Sequence, residues 1–211
     1  MSEAIASIKD WVIKGKKNEA VAATRAALEA GVDPGAIMKD GLIAAMSVVG
    51  ERYSSGEFFL PQMMIAARAM TEVIPVIKPH LVGKAAESRG KAVIGTVQGD
   101  FHDIGKNIVR MMLEGGGYEV IDLGVDVSAE KFVEAVRQEA PQLVLMSALI
   151  TLTMESMRRT IAALEAAGLR GSVRIGVGGA PLTHKYAQEI GADFYSEDAY
   201  QCVQVCNQMV H

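Results

Sequence analysis

Ala92-Val93-Ile94-Gly95-Thr96-Val97-Gln98-Gly99-Asp100-Phe101-His102-Asp103-Ile104-Gly105-Lys106-Asn107 reads as strand, loop and helix in succession. The apolar run Ala92–Val97 predicts a strand buried on both faces, and a helical pattern runs from Lys106. The loop between them therefore stands at the carboxyl end of a strand, where open α/β sheets bind their ligands. It gathers two acids, one histidine and two glycines.

Further strands are expected at Glu119–Leu123, Leu143–Met146, Arg174–Val177 and Asp193–Tyr195. Helical patterns separate them over Lys106–Glu114, Ala129–Glu139, Met154–Ala167, His184–Ile190 and Ala199–Met209. Strands alternating with helices of this length imply a parallel sheet covered on both faces. Five strands in this span predict a Rossmann-like, flavodoxin-like domain of order 2-1-3-4-5 over residues 89–211, its crevice beside the first and third strands. Three loops converge there: Asp100 to Gly105, Ser147 to Thr153, and Gly178-Gly179-Ala180-Pro181.

Residues 1–88 have the other character. Ile5, Ile8, Trp11 and Val12 recur at helical spacing, and Ala20–Ala30 is an alanine-rich helix stopped by Gly31. Asp33-Pro34 restarts the chain as an N-cap followed by proline, leading into a helix that runs to about Tyr53. A fourth helix starts at Leu60-Pro61. Four helices with short loops predict a bundle, a cap domain ahead of the α/β domain. Tyr53, Phe58, Phe59, Leu60, Met63 and Met64 cluster around one loop, either as bundle packing or as an apolar lid for a large, flat ligand. His80–Arg89 reads as a linker and hinge between the two domains.

Composition bounds the function. Half of the 211 residues are hydrophobic and 22% are charged, which predicts packed cores rather than disorder. A net charge of −4 argues against nucleic-acid and anionic-membrane partners. No leader or bilayer-spanning segment is read, and two cysteines fit a reducing compartment, so the expectation is a soluble cytoplasmic protein. Cys202 and Cys206, four apart, share a helix face as two reduced thiols.

Several chemistries fail on residue type. Between Gly99 and Gly105 lie five residues where a phosphate loop requires four, and Asn107 stands where that loop needs Ser or Thr. No Gly-x-Gly-x-x-Gly follows the first strand. The third strand ends in Met146-Ser147, without the aspartate of a phosphorelay receiver, and no Gly-x-Ser-x-Gly elbow offers a nucleophile. Two readings of His102 stand. It is either a structural histidine at the start of the helix, or a single protein ligand to a metal whose other positions a macrocycle fills, with Asp100 on its second ring nitrogen.

Asp100-x-His102-x-x-Gly105, Ser147-x-Leu149 and Gly178-Gly179, in this order, resemble the cobalamin-binding signature of corrinoid methyl-transfer proteins. The longer strings Gly99–Asn107 and Val48-Val49-Gly50…Phe59-Leu60-Pro61-Gln62 resemble the cobalamin region of methionine synthase and the small corrinoid proteins of methyltransferase systems. The resemblance covers nearly the whole chain.

It implies that His102 is the lower axial ligand of cobalt, displacing the corrinoid's own base. Asp100 would hydrogen-bond His102 and, with Thr153 in place of the serine of methionine synthase, form a proton relay. Gly99, Phe101, Asp103, Ile104 and Gly105 would complete the histidine loop around the cofactor. Ser147, Leu149 and Thr151 would line the slot for the displaced nucleotide tail, with Gly178, Gly179 and Ala199 completing it. Tyr53, Leu60 and Met63 fall where the family's helical domain shields the methyl face. Tyr53 there replaces a phenylalanine, and Met63 a valine.

The implied function is that of a non-catalytic carrier subunit. It would shuttle a methyl group on cobalt between a substrate:corrinoid methyltransferase and a corrinoid:tetrahydrofolate or corrinoid:thiol methyltransferase, and be served by a reductive activase. Two alternatives share the cofactor. A cobalamin sensor of transcription would carry a helix-turn-helix, and none is read before Trp11 or after Val210. A mutase subunit would lack the Phe59-Leu60-Pro61 segment.

Overall fold

The computed structural model of the chain describes residues 2–81 and 88–210. The chain divides into two compact units, residues 1–88 with Gly115–Gly117, and residues 89–114 with 118–211. The predicted hinge His80–Arg89 lies mostly outside the described residues.

The first unit is helical. α1 (Glu3–Ile13) begins with Ser2, whose hydroxyl accepts the Ile5 N–H, and α2 (Lys17–Glu29) ends before Gly31. α3 starts as a short turn (Pro34–Ala36) capped by the Asp33 carboxylate on the Ala36 N–H at 2.9 Å. It continues through a π-helical stretch (Ile37–Ile43) into an α-helix (Ala44–Ser54). The widened turns were not foreseen. They bring Gly41 against α1, where an added Cβ would meet Ile5 and Ile8 at 3.7 Å, and periodicity does not report such a register change.

α4 (Leu60–Ile77) opens at the expected Leu60-Pro61, with the Gln62 side chain accepting the Phe59 N–H, and carries Pro75 inside it without ending there. A short 3-10 turn, Lys78–Leu81, follows. Ile5, Ile8 and Val12 of α1, Leu42, Met46 and Val49 of α3, and Met63, Met70 and Val73 of α4 are buried. That is the four-helix arrangement the sequence predicts.

The second unit alternates strand and helix: β1 (Lys91–Thr96), α5 (Ile104–Gly115), β2 (Glu119–Asp122), α6 (Ala129–Glu139), β3 (Leu143–Ser147), α7 (Met154–Ala166), β4 (Arg174–Gly178), α8 (His184–Glu189), β5 (Phe194–Tyr195) and α9 (Ala199–Met209). All pairings are parallel, in the order β2-β1-β3-β4-β5. Val93, Val144, Ile175 and Val177 of the strands pack with Phe132 and Val136 of α6 and Met157 and Ile161 of α7 in one buried cluster.

Gly176 leaves room for the Phe194 ring, whose Cζ would lie 2.3 Å from an added Cβ. Ser128, Thr183 and Asp198 cap α6, α8 and α9 with their side-chain oxygens. Cys202 and Cys206 are both buried on α9. Contact with the Cys202 thiol, and then burial, push the Cys206 thiol well above its ordinary range.

The register sets the site. Thr96 pairs with Ser147 and Ser147 with Gly178, so β1, β3 and β4 end level and deliver three loops to one edge of the sheet.

Candidate functional site

The loop after β1 is fixed before any helix begins. Gly99 takes φ +85°, a left-handed backbone suited to glycine, and the Asp100 N–H donates to the Val97 carbonyl. This turns the Asp100 side chain into the protein, where it is fully buried.

A buried carboxylate must find donors, and this one finds them on two loops. Oδ1 accepts the His102 N–H at 3.0 Å and lies 2.7 Å from His102 Nδ1. Oδ2 accepts the N–H groups of Leu149 (2.7 Å) and Ile150 (3.2 Å) and lies 2.8 Å from the Thr153 hydroxyl. The loop after β3 thus closes around the same carboxylate. Burial pushes the Asp100 carboxyl up. The backbone N–H groups of Leu149 and His102, the His102 ring and the Thr153 hydroxyl outweigh it, and the group stays well below the usual carboxylate range.

An ionised Asp100 accepts only, so the 2.7 Å contact places a proton on His102 Nδ1 and makes Nε2 the lone-pair nitrogen of the neutral ring. The imidazole is half-exposed, and the Thr96 hydroxyl donates to the His102 carbonyl at 2.9 Å. Thr153 Oγ1 also lies 2.8 Å from the Ile150 carbonyl. Its single proton can therefore turn to that carbonyl if Asp100 takes up a proton, with Oγ1 becoming the acceptor. The proposed relay partners are thus in hydrogen-bond contact in the order Thr153, Asp100, His102.

In the same two segments as His102 and the Asp100 donors, Phe101 is 69% exposed, Ile104 71% and Leu152 87%, with Leu149 and Ile150 also exposed. Phe101 lies on the β1 loop, Ile104 at the start of α5, and the other three on the segment after β3. At the third loop, Gly179 has φ +137°, and a Cβ there would stand 1.8 Å from the Ala148 carbonyl oxygen. β3 and β4 are drawn together by the Ala148 N–H on the Gly178 carbonyl.

The histidine loop, Ser147 (half-buried), Leu149 and Thr151 (exposed), Thr153 (buried) and Gly178 and Gly179 (half-buried) share one edge of the sheet. Ala199 is buried at the start of α9. Tyr53 and Leu60, half-buried, and Met63, buried, belong to the helical unit.

A family of B12 binding domains matches residues 90–203, and a second B12 binding domain family matches residues 4–78. Trimethylamine corrinoid protein 1 of Methanosarcina mazei is 42% identical over 95% of this chain and 94% of its own length. The chain belongs to the corrinoid proteins. Dimethylamine corrinoid protein 2 of the same organism is 41% identical, again over 95% of this chain and 94% of its own.

Among solved structures, the methanol:cobalamin methyltransferase complex MtaBC from Methanosarcina barkeri matches 99% of this corrinoid protein and 80% of that chain, with TM-score 0.90 and 33% identity. A cobalamin-binding protein from Desulfitobacterium hafniense matches 98% of both chains, with TM-score 0.81 and 34% identity. The cofactor of this corrinoid protein is accordingly a cobalamin or related corrinoid.

The residues present fit such a group. Among the described residues no three His, Cys, Asp or Glu side chains converge on a metal position, and one oriented imidazole amid apolar side chains is what a metal already held in a macrocycle requires. At the sheet edge, Ser196 is buried after β5, its hydroxyl finds no hydrogen-bond partner among the described residues, and its carbonyl lies 3.5 Å from where a Gly178 Cβ would be. A buried serine hydroxyl on a residue next to Gly178 suits a polar, hydrogen-bonding ligand segment.

Sequence reasoning did not reach Ser196, because one serine after a two-residue strand carries no motif. It also missed the Leu149 and Ile150 amides, which side-chain identity cannot signal.

Proposed function

We propose that this corrinoid protein carries a methyl group between a substrate:corrinoid methyltransferase and a second, tetrahydrofolate- or thiol-dependent methyltransferase, with His102 as the protein's ligand to cobalt. The bound corrinoid supplies a cobalt centre that accepts and releases the methyl group. The observation that carries the reading is the Asp100–His102 pair, which holds Nδ1 protonated and leaves Nε2 as the donor.

The chain's own residues then divide the work. Asp100 orients the imidazole and strengthens its donor nitrogen. The Thr153 hydroxyl stabilises the Asp100 carboxylate and stands ready to receive a proton placed on Oδ2. Phe101, Ile104, Leu149, Ile150 and Leu152 offer exposed apolar surface that a bound corrinoid would cover, excluding water there. Ser147, Thr151, Gly178, Gly179 and Ala199 are proposed to receive the nucleotide tail, and Gly99, Asp103 and Gly105 to complete the loop beneath the corrin. Residues 1–88 are proposed as the cap domain, contributing Tyr53, Leu60 and Met63, and residues 89–211 as the corrinoid-binding domain.

Support for the methyltransferase partner comes from the relatives. Those at 41–42% identity are methylamine corrinoid proteins, and the MtaBC match is a complex with a methanol:cobalamin methyltransferase. A reductive activase and a cytoplasmic location complete the proposal. No helix among the described residues is long and apolar enough to cross a membrane.

The test is to load the chain with hydroxocobalamin and reduce it. It is then incubated with the methyltransferase that co-purifies with it and methyl-labelled methylamines, methanol or methoxyaromatics. Label travelling with the chain through gel filtration, one methyl per cobalt, is expected. Turnover in which no label ever resides on the chain overturns the carrier reading.

A further inference from the structure

The loop after β2, residues 122–126, is exposed at both aspartates and belongs to none of the motifs above, yet it is tied to both ends of the histidine loop. At the near end the Asp126 carboxylate accepts the Gly99 N–H at 2.7 Å, and the Asp126 N–H donates to the Asp100 carbonyl at 2.9 Å. One residue thus grips the Gly99–Asp100 segment from both sides. At the far end Asp122 receives Lys106 Nζ on both oxygens, at 2.7 and 2.5 Å, and binds the Gly124 N–H at 2.9 Å. His102 lies between these two attachments.

Asp126 does this in an unfavourable backbone. Its φ is +53°, a left-handed conformation uncommon for residues with a Cβ and adopted among them most readily by Asn and Asp. The side chain is exposed, so core packing does not demand it, and glycine would remove the strain. What glycine cannot supply is the acceptor for the Gly99 N–H. Gly99 takes φ +85°, and without that acceptor its peptide keeps only the Ser156 hydroxyl on the Gln98 carbonyl at 3.0 Å among the hydrogen bonds of the described residues.

We infer that Asp126 is a positioning residue: through Gly99 and Asp100 it holds the His102 imidazole in the single tautomer and orientation presented to the corrinoid. The inference rests on the proposed role of His102, and its test separates the two. The Asp122–Lys106 pair fixes the other end of the loop, the Leu149, Ile150 and Thr153 donors hold the Asp100 carboxylate from the β3 side, and Asp126 holds the Gly99–Asp100 backbone from the β2 side.

The experiment compares Asp126→Asn, Asp126→Ala and Asp126→Gly in the full chain. Asparagine tolerates the left-handed backbone and keeps an acceptor. Glycine relieves the strain, keeps the N–H on Asp100 and lacks the acceptor, so its fold is expected to survive even if the alanine variant's does not. In apoprotein carrying 15N-labelled histidine, the wild type and Asp126→Asn are expected to show one His102 tautomer and a slowly exchanging Gly99 amide. Asp126→Gly is expected to show mixed tautomers, fast exchange at Gly99 and roughly tenfold weaker binding of hydroxocobalamin.

Asp126→Gly with the wild-type tautomer, exchange and affinity would overturn the inference, leaving Asp126 a turn residue. Wild-type protein that binds hydroxocobalamin with no histidine nitrogen on cobalt would instead sink the ligand role of His102, while the apoprotein comparison still decides Asp126.

Discussion

His102 Nδ1 lies 2.7 Å from Asp100 Oδ1, and that carboxylate is fully buried while the imidazole is half-exposed. The pair faces two ways: the aspartate is anchored in the protein by the Leu149, Ile150 and Thr153 donors, and the histidine ring stands half in solvent. Anchoring and presentation are therefore properties of one constellation, and perturbing either has a distinct signature.

Asp100 makes stability acid-sensitive. Its folded pKa is depressed, so its contribution is fully present above the ordinary carboxylate value of about 3.9. Below that pH the unfolded chain takes up a proton the folded chain resists, and the contribution is lost as pH falls toward the folded pKa. The stability gap between wild type and Asp100→Asn is expected to narrow from about pH 6 to about pH 3 by denaturant unfolding. A gap that is constant with pH would mean that the carboxylate is not held ionised by the fold.

Thr153→Val keeps the shape and removes the hydroxyl from a buried carboxylate. A loss of about 1–3 kcal/mol is expected, with Thr153→Ser close to wild type. The same valine variant should shift the pH dependence of methyl transfer. An identical pH profile would leave the Asp100–Thr153 contact as structure alone.

Two glycines of the site separate folding from binding. At Gly179 a Cβ would collide with the Ala148 carbonyl at 1.8 Å and φ is +137°, so Gly179→Ala should cost more than about 3 kcal/mol or prevent folding. At Gly105 an added Cβ would meet nothing within 4 Å among the described residues beyond its chain neighbours and its own helix backbone. Gly105→Ala, in the first turn of α5, should fold at least as well as wild type, by up to about 1 kcal/mol. A drop in corrinoid affinity in this variant, read by spectral titration, is expected from close approach of the ligand to that backbone. Unchanged affinity would move the cofactor away from Gly105.

Lys106 is 3% exposed and bonds both Asp122 oxygens and the Asn107 amide oxygen. Lys106→Met leaves Asp122 without its main partner and is expected to cost about 2–3 kcal/mol, part of which solvent at Asp122 relieves. Lys106→Met with Asp122→Leu should recover much of the loss in thermal unfolding. A double variant as unstable as the sum of its singles would show that the pair is not coupled.

Much of this architecture was legible in the sequence, because burial writes itself into periodicity. The apolar runs of β1, β3 and β4 and the helical patterns between them gave the sheet order, and Asp33-Pro34 and Leu60-Pro61 marked helix starts that the structure keeps. Asp100 and His102 were legible as a pair because their partnership is local, two residues apart.

What lay hidden depends on three-dimensional neighbours or on backbone. The Leu149 and Ile150 amides are side-chain-independent donors some fifty residues away from Asp100. Asp122 ends β2 and Asp126 follows it, neither in a motif, and only the fold shows them gripping Lys106 and Gly99. The π-helical Ile37–Ile43 shifts register without changing which residues are apolar.

The claim that His102 supplies a nitrogen to cobalt is tested most directly by electron paramagnetic resonance of the chain loaded with cob(II)alamin and carrying 15N-labelled histidine. The account predicts that the nitrogen superhyperfine splitting is that of one axial nitrogen, changes with the 15N label, and vanishes in His102→Ala. Splitting that is indifferent to the label and intact in His102→Ala would place the corrinoid's own base on cobalt and contradict the account.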